Sequence, residues 1–236
     1  MVRVVKTAAL RQDEILDTAQ RLFLERGYEA TSIQAIIDEI GIAKGTFYHH
    51  YPSKPALLDA LVARMVVVLG ALIQPLIDDP ALGAVDKLNA VFLSAGAWKT
   101  DHRALMLEMH RALYTEANEQ LRLRIQREGN AMMMPIVARI LEQGVAEGVM
   151  NTRYPRHAAQ IVLELGITLG RTLGDALLRP DATPDLASIL TDLDAYHDAV
   201  GRLLGAAPGA IRLVDRDAVA VWLEAARTPK PQQEPR

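Results

Sequence analysis

The sequence has no cysteine. That absence excludes a disulfide scaffold, a thiolate zinc site, an iron–sulfur cluster and thiol nucleophile chemistry. A strong charge of either sign is also missing: the net charge is −3, and residues 1–64 carry as many Lys and Arg as Asp and Glu. Any contact with nucleic acid must therefore come from local arrangement rather than from bulk attraction. Long apolar runs are lacking too. The longest, residues 65–73, lies between Arg64 and Gln74, well short of the roughly 20 residues that span a bilayer. No continuous apolar stretch precedes Arg11 and Asp13, so no secretory signal is read there, and a soluble, cytoplasmic protein without a membrane partner is expected.

Catalytic signatures are absent as well. There is no Glu-x-x-His pair of the kind that builds di-iron bundles, no Gly-x-Gly-x-x-Gly, no phosphate-binding glycine loop ending in Lys-Ser or Lys-Thr, and no His-Glu-x-x-His. Asp194 and His197 form a lone Asp-x-x-His, read as part of a solvated face. No metal, no cofactor and no enzymatic activity are expected. What is present is a chain of 236 residues, half of them hydrophobic, enough to bury a core in one or two domains.

Apolar residues recur at helical spacing almost throughout, and alternating β-branched runs bounded by turns are missing, which predicts an all-α fold. The first helix is expected over 10–26, with Ile15, Leu16, Ala19, Leu22 and Phe23 on one face and Gly27 as its stop. The second, over 31–40, is expected to be capped by Thr31, with Gln34 completing a capping box, and to bury Ile33, Ile36, Ile37 and Ile40. Gly41 ends it, and a short third helix over 44–51 follows before Pro52. Ser53 is expected to cap a long fourth helix towards residue 77, interrupted near Pro75. Further helices are predicted over 86–98, 102–115, 118–147, 156–178, 185–204 and 216–227. The domains expected are 1–52, a three-helix helix-turn-helix unit, and 53–228, a larger helical bundle, with 229–236 as a disordered tail.

Two short helices joined by a glycine turn form a helix-turn-helix pattern. Phe47 and Tyr51, one turn apart, must face inward, which leaves Lys44, Gly45, Tyr48 and His49 outward. Gly45 permits close backbone approach, Lys44 can reach a base edge or a phosphate, and Thr46, Tyr48 and His50 can donate to phosphate oxygens. Lys54 adds a cation at a helix N-terminus, and Thr31 and Gln34 sit at another. These nine residues are the candidate DNA contacts.

The segment GYEATSI from Gly27, then Ile36, Gly41-Ile42, Lys44-Gly45-Thr46-Phe47-Tyr48 with His50, Ser53-Lys54 and Leu57-Leu58, closely resembles the N-terminal motif of the TetR family of bacterial transcriptional regulators. The match covers about residues 10–61. Ala43 departs from it, standing where the family often has a capping Ser, and Ile37 and Ile40 are bulkier than the Ala often found there. The resemblance implies a homodimer on a palindromic double-stranded operator, and a helical C-terminal domain that dimerises and binds a small-molecule effector.

Trp98, Met106, Met109, His110, Tyr114, Met133 and Met134 are candidates for a largely apolar effector site, since thioethers and amphipathic aromatics suit an adaptable pocket. Gly166, Gly170 and Gly174 recur every fourth residue, which allows close helix crossing either within one subunit or at a dimer interface. The function expected is a ligand-responsive repressor; the alternative is a helical interaction or small-molecule-binding module without DNA binding.

Overall fold

The computed structural model describes residues 7–178 and 185–227. Among the described residues it has ten α-helices and no strand. They are α1 (Ala8–Arg26), α2 (Ile33–Ile40), α3 (Lys44–His50), α4 (Lys54–Asp78), α5 (Ala84–Asp101), α6 (Arg103–Leu113), α7 (Glu119–Ala146), α8 (Pro155–Leu178), α9 (Leu186–Leu204) and α10 (Arg216–Arg227), with one 3-10 turn at Glu116–Asn118. The expected tail at 229–236 lies outside the described residues. The chain forms two compact units, Met1–Val68 with Ala104–Ile125, and Leu69–Arg103 with Gln126–Arg236.

In the first unit the face expected of α1 is the buried one: Ile15, Leu16, Ala19, Leu22 and Phe23. It packs with Ile36 and Ile37 of α2, Phe47 of α3 and Tyr51, with Ile33, Ile40 and Ile42 at the margin. This core reaches further along the chain than residue 52, because Leu57, Leu58 and Leu61 of α4 and Leu105, Met109 and Ala112 of α6 are buried in it. Each of these side chains contributes roughly 1.5–3 kcal/mol when fully removed from water. The turn between α2 and α3 is made by Gly41 at φ 72°, a left-handed conformation that L side chains avoid. Arg21 then ties the two long walls, hydrogen-bonding Glu25 on its own helix and Glu39 on α2.

Two expectations are corrected in this stretch. The cap of α2 is Ser32, whose Oγ accepts from the Ala35 N–H at 3.0 Å. Thr31 instead is fully buried, and its hydroxyl donates to the carbonyls of Gly27 at 2.8 Å and Leu22 at 3.2 Å. Gln34 therefore completes no capping box; it donates to Asp38 one turn on. Ser53 does cap α4, accepting from the Ala56 N–H at 3.2 Å. Pro75, expected to interrupt α4, lies within it, and the helix continues to Asp78. By length and composition α4 is apolar enough to cross a membrane, with a mean hydropathy of 2.3 over its most apolar window. Val67, Val68 and Leu72 on this helix are exposed.

The second unit is built on Leu88 and Val91 of α5, Val137, Ile140 and Leu141 of α7, Ala159 and Val162 of α8, and Leu193, Val200 and Leu204 of α9. Tyr196 is buried with them, which pushes its phenol up to about 12. Gly83 precedes α5 and offers no side-chain cap, so the role passes to Glu147, whose Oε2 accepts from the Ala84 N–H at 2.8 Å. That bond, followed by the one from Gln143, holds the Glu147 carboxyl below its usual range.

The chain after α9 is strapped down by side chains of α5 and α9. Asn89 donates to the Ala210 carbonyl and accepts from the Arg212 N–H, both at 2.8 Å. His197 Nε2 accepts from two successive amides, Leu213 and Val214, each at 3.1 Å. Asp194 pairs with Arg216, and Trp222 Nε1 donates to the Thr100 hydroxyl at 2.9 Å. Of the Asp-x-x-His, Asp194 lies on the solvated face as expected, whereas His197 is half-buried and binds two backbone amides.

Candidate nucleic-acid interface

The third helix presents two faces that differ in kind. Phe47 is fully buried and Tyr51, just past the helix, is 3% exposed, so the inward face is aromatic and fixed. Lys44, Gly45, Tyr48 and His49 are exposed, as expected, and Thr46 and His50 are half-buried beside them. The Tyr48 ring meets Phe47 edge-on at 5.5 Å, which supports it from below. The Lys44 ammonium lies 5.9 Å from the Tyr48 ring centroid, and the rings of His49 and His50 are 5.3 Å apart. Ala43 gives the helix no side-chain cap, leaving its first amides open to an outside acceptor.

Gly45 is the most informative position. A Cβ built on it would meet nothing within 4 Å, so no internal packing requires its smallness. Glycine inside a helix costs about 0.8–1.0 kcal/mol relative to alanine. A bare backbone at this exposed position leaves room for an outside surface to approach the helix closely.

Lys54 opens α4 next to this surface. Its ammonium donates to the Glu29 carbonyl at 3.2 Å and stands 4.2 Å from the centroid of the Tyr28 ring. Partial burial lowers its pKa, and Glu29 pulls the other way. Gln34 is exposed, whereas the Thr31 hydroxyl is spent inside the unit. Ser32, which sequence reasoning passed over for Thr31, is the exposed hydroxyl at the start of α2. Tyr28 was also missed. The signal available was its place in the GYEATSI stretch.

The candidate effector residues divide between the units. Met106, Met109, His110 and Tyr114 lie in the first, where Met109 is buried in the core and Met106 packs on it. His110 stacks on Tyr114 with centroids 3.9 Å apart, and the Arg122 guanidinium stands 4.7 Å over the Tyr114 ring. Glu108, the other polar residue of that stretch, is buried and ion-paired with Arg111. Trp98, Met133 and Met134 lie in the second unit; Trp98 stacks on His102 at 4.2 Å, and both methionines pack on the second core. Of the three glycines of α8, Gly166 faces Tyr196 of its own chain, whose hydroxyl would be 3.3 Å from an added Cβ. Gly170 is exposed with nothing within 4 Å, and Gly174 is half-buried.

A buried aromatic anchor beneath a cationic, hydroxyl-bearing outer face, on the second helix of a glycine-turned pair, defines a helix-turn-helix DNA-binding segment. Residues 15–61 match the family model described as bacterial regulatory proteins of the tetR family. The chain is 28% identical over 152 residues to the HTH-type transcriptional repressor KstR2 of Mycobacterium tuberculosis, covering 63% of this chain and 73% of that one. It is 29% identical over 138 residues to KstR2 of Rhodococcus jostii, covering 58% and 67%. A TetR-family regulator from Mesorhizobium loti shares the fold over 84% of this chain and 98% of its own, with a TM-score of 0.59 at 21% identity. Residues 15–61 are thus a TetR-type DNA-binding segment, and the chain is similar to the TetR family of transcriptional regulators, whose members bind operator DNA as homodimers.

Proposed function

We propose that this protein is a cytoplasmic, ligand-responsive repressor whose homodimer places one α3 from each protomer in successive major grooves of a palindromic operator. Half-sites then lie about 34–36 Å apart, one helical turn. The observation that carries this is the outer face of α3, where Lys44, Gly45, Tyr48 and His49 are exposed over the fully buried Phe47. Lys44 reads a base edge or a phosphate. Thr46, Tyr48, His49 and His50 contact the backbone, and Lys54 and Gln34 add contacts at the starts of α4 and α2. Thr31 is left out because its donor is used internally, and Ser32 takes its place.

The naming of the KstR2 relatives as repressors supports repression as the mode of action. A largely apolar effector is taken up by the C-terminal domain, with Trp98, Met133 and Met134 of the second unit the candidates to meet it. Its binding biases α4, the helix that begins at Lys54 and ends among the second core, towards a state that fits DNA less well. A ligand shifts that balance only through its difference in affinity for the two states. The side of α8 that carries Gly170, exposed with nothing within 4 Å, is the proposed dimer contact.

The test is a selection of bound duplexes from a random DNA pool, using the wild type and the Lys44→Ala, Tyr48→Ala double variant. A palindrome enriched by the wild type alone supports the reading. If both proteins enrich the same sequences, α3 is not the reading helix.

A further inference from the structure

Residues 105–114, LMLEMHRALY, carry an aromatic stack that the DNA contacts leave unused. His110 of α6 stacks on Tyr114 with ring centroids 3.9 Å apart and the planes 16° from parallel. The Arg122 guanidinium of α7 stands 4.7 Å from the centroid of the same Tyr114 ring. All three residues belong to the first unit. The phenol ring therefore holds a cation through its π-face, an attraction that consumes none of the cation's hydrogen-bond donors.

The corner between α6 and α7 is fixed by its own bonds. Asn118, buried in the 3-10 turn, donates from its carboxamide to the Ala112 carbonyl at 2.9 Å, and the Thr115 hydroxyl donates to the same carbonyl at 3.0 Å. The arginines of this corner differ in how they are matched. Arg111 hydrogen-bonds Glu108, and Arg124 pairs with Asp59 at 2.5 Å. Arg122 Nε is closed to water and has no hydrogen-bond partner among the described residues. Glu119 Oε1 stands 3.7 Å from Arg122 Nη2, an ion pair too long for a hydrogen bond. The Arg122 side chain is 21% exposed, so water replaces little of what is missing. A guanidinium presents its donors as a planar fork, which takes the two oxygens of a carboxylate side by side.

We propose that Arg122, backed by Tyr114 and His110, binds the carboxylate of a small organic acid, at a site separate from the apolar effector site proposed in the second unit. The carboxylate accepts from Nε and one terminal nitrogen, displacing Glu119, with a rotation of the Arg122 side chain opening Nε to it. One guanidinium with Glu119 beside it balances a single negative charge, which favours a monocarboxylate over a phosphate carrying nearly two. Leu105, Met109 and Ala112 of α6 are buried in the same core as Phe47 of α3. Occupancy of the site therefore stabilises the unit that carries the DNA-reading helix.

The experiment titrates hexanoate, hexanamide and inorganic phosphate into the full-length protein at constant ionic strength and needs no DNA, so it stands or falls apart from the operator selection. Two readouts are followed: the arginine Nε–H signals by NMR, that of Arg122 being the one missing from Arg122→Lys, and the melting temperature. Hexanoate is expected to shift the Arg122 signal to saturation and to raise the melting temperature, and hexanamide to do neither. Arg122→Lys keeps the charge but loses the fork, and is expected to weaken hexanoate binding about tenfold. Tyr114→Phe keeps the ring and the affinity, whereas Tyr114→Leu lowers the affinity several-fold. Glu119→Gln removes the competing carboxylate and tightens binding several-fold. A response to phosphate but not to hexanoate would overturn the carboxylate assignment. No response to either, an equal response to hexanamide, or wild-type affinity in Arg122→Lys would overturn the site. If Arg122→Lys does not fold, Glu119→Gln decides, and an unchanged hexanoate affinity there overturns the proposal.

Discussion

Replacing His197 by Phe removes an acceptor from two backbone donors at once while keeping a ring of similar size. In the wild type, Nε2 accepts from Leu213 and Val214 at 3.1 Å each, which places the ring proton on Nδ1 and makes the imidazole neutral. A buried amide left without an acceptor costs about 1–3 kcal/mol. His197 is half-buried, so some of that is recovered by water, and a net loss of about 2 kcal/mol for the pair is expected. Acidification should have the same effect on the wild type. Burial lowers the His197 pKa, with Arg216 and Arg212 lowering it and Asp194 raising it. Because the folded pKa lies below the unfolded value of about 6.5, the contribution is complete above that pH and declines as the pH falls towards the folded pKa. The limiting slope is about 1.4 kcal/mol per pH unit for one proton, reduced here by exposure. Urea denaturation of wild type and His197→Phe at pH 7.5, 6.5 and 5.5 measures both effects, and differencing the two proteins cancels the other histidines. Their stability gap should be widest at pH 7.5 and narrow at pH 5.5. A gap that does not change with pH, or none at pH 7.5, would refute the reasoning.

Three further outcomes are expected. Gly45→Ala should stabilise α3 by up to about 1 kcal/mol, since nothing obstructs the new methyl, and at the same time weaken operator binding; a thermal melt and a binding isotherm should move in opposite directions. Thr31→Val keeps the side chain's shape but leaves the Leu22 and Gly27 carbonyls without their hydroxyl donor, and should lower stability by about 1–2 kcal/mol in denaturant titration. Gly144→Ala would bring a Cβ to 2.5 Å from Met150 Sδ and 3.2 Å from the Ala84 Cβ, so overpacking of about 1–3 kcal/mol should exceed the gain in helix propensity and depress the melting temperature.

The helices were legible because their signals are local. The buried face of α1 repeats at 3–4 residues, Gly27 and Gly41 stop the first two helices, and Phe47 and Tyr51 orient α3 by spacing alone. Local sequence does not distinguish Thr31 from Ser32 as the cap of α2, because the two are adjacent and either can cap. What separates them is a tertiary fact, the Leu22 carbonyl that draws the Thr31 hydroxyl inward. Pro75 reads locally as a break because a proline removes one helical hydrogen bond, but one bond does not end a helix whose neighbours Ile73 and Ile77 are buried. Asn118, Glu147 and His197 are beyond local reading altogether. Each is an ordinary polar residue in an ordinary helical stretch until a partner from another element reaches it.

Glu147 also bears on the order in which the second unit can be completed on the ribosome. The first amide of α5 is made 63 residues before the carboxylate that caps it, an interval of roughly 3–13 s at translation rates of about 5–20 residues per second. Asn89 waits longer still, for Ala210 and Arg212, 121 and 123 residues on. Until residue 147 is made the first amide of α5 lacks its carboxylate acceptor, and until residues 210–212 are made Asn89 lacks its backbone partners, so the second unit reaches its full set of bonds only late in synthesis.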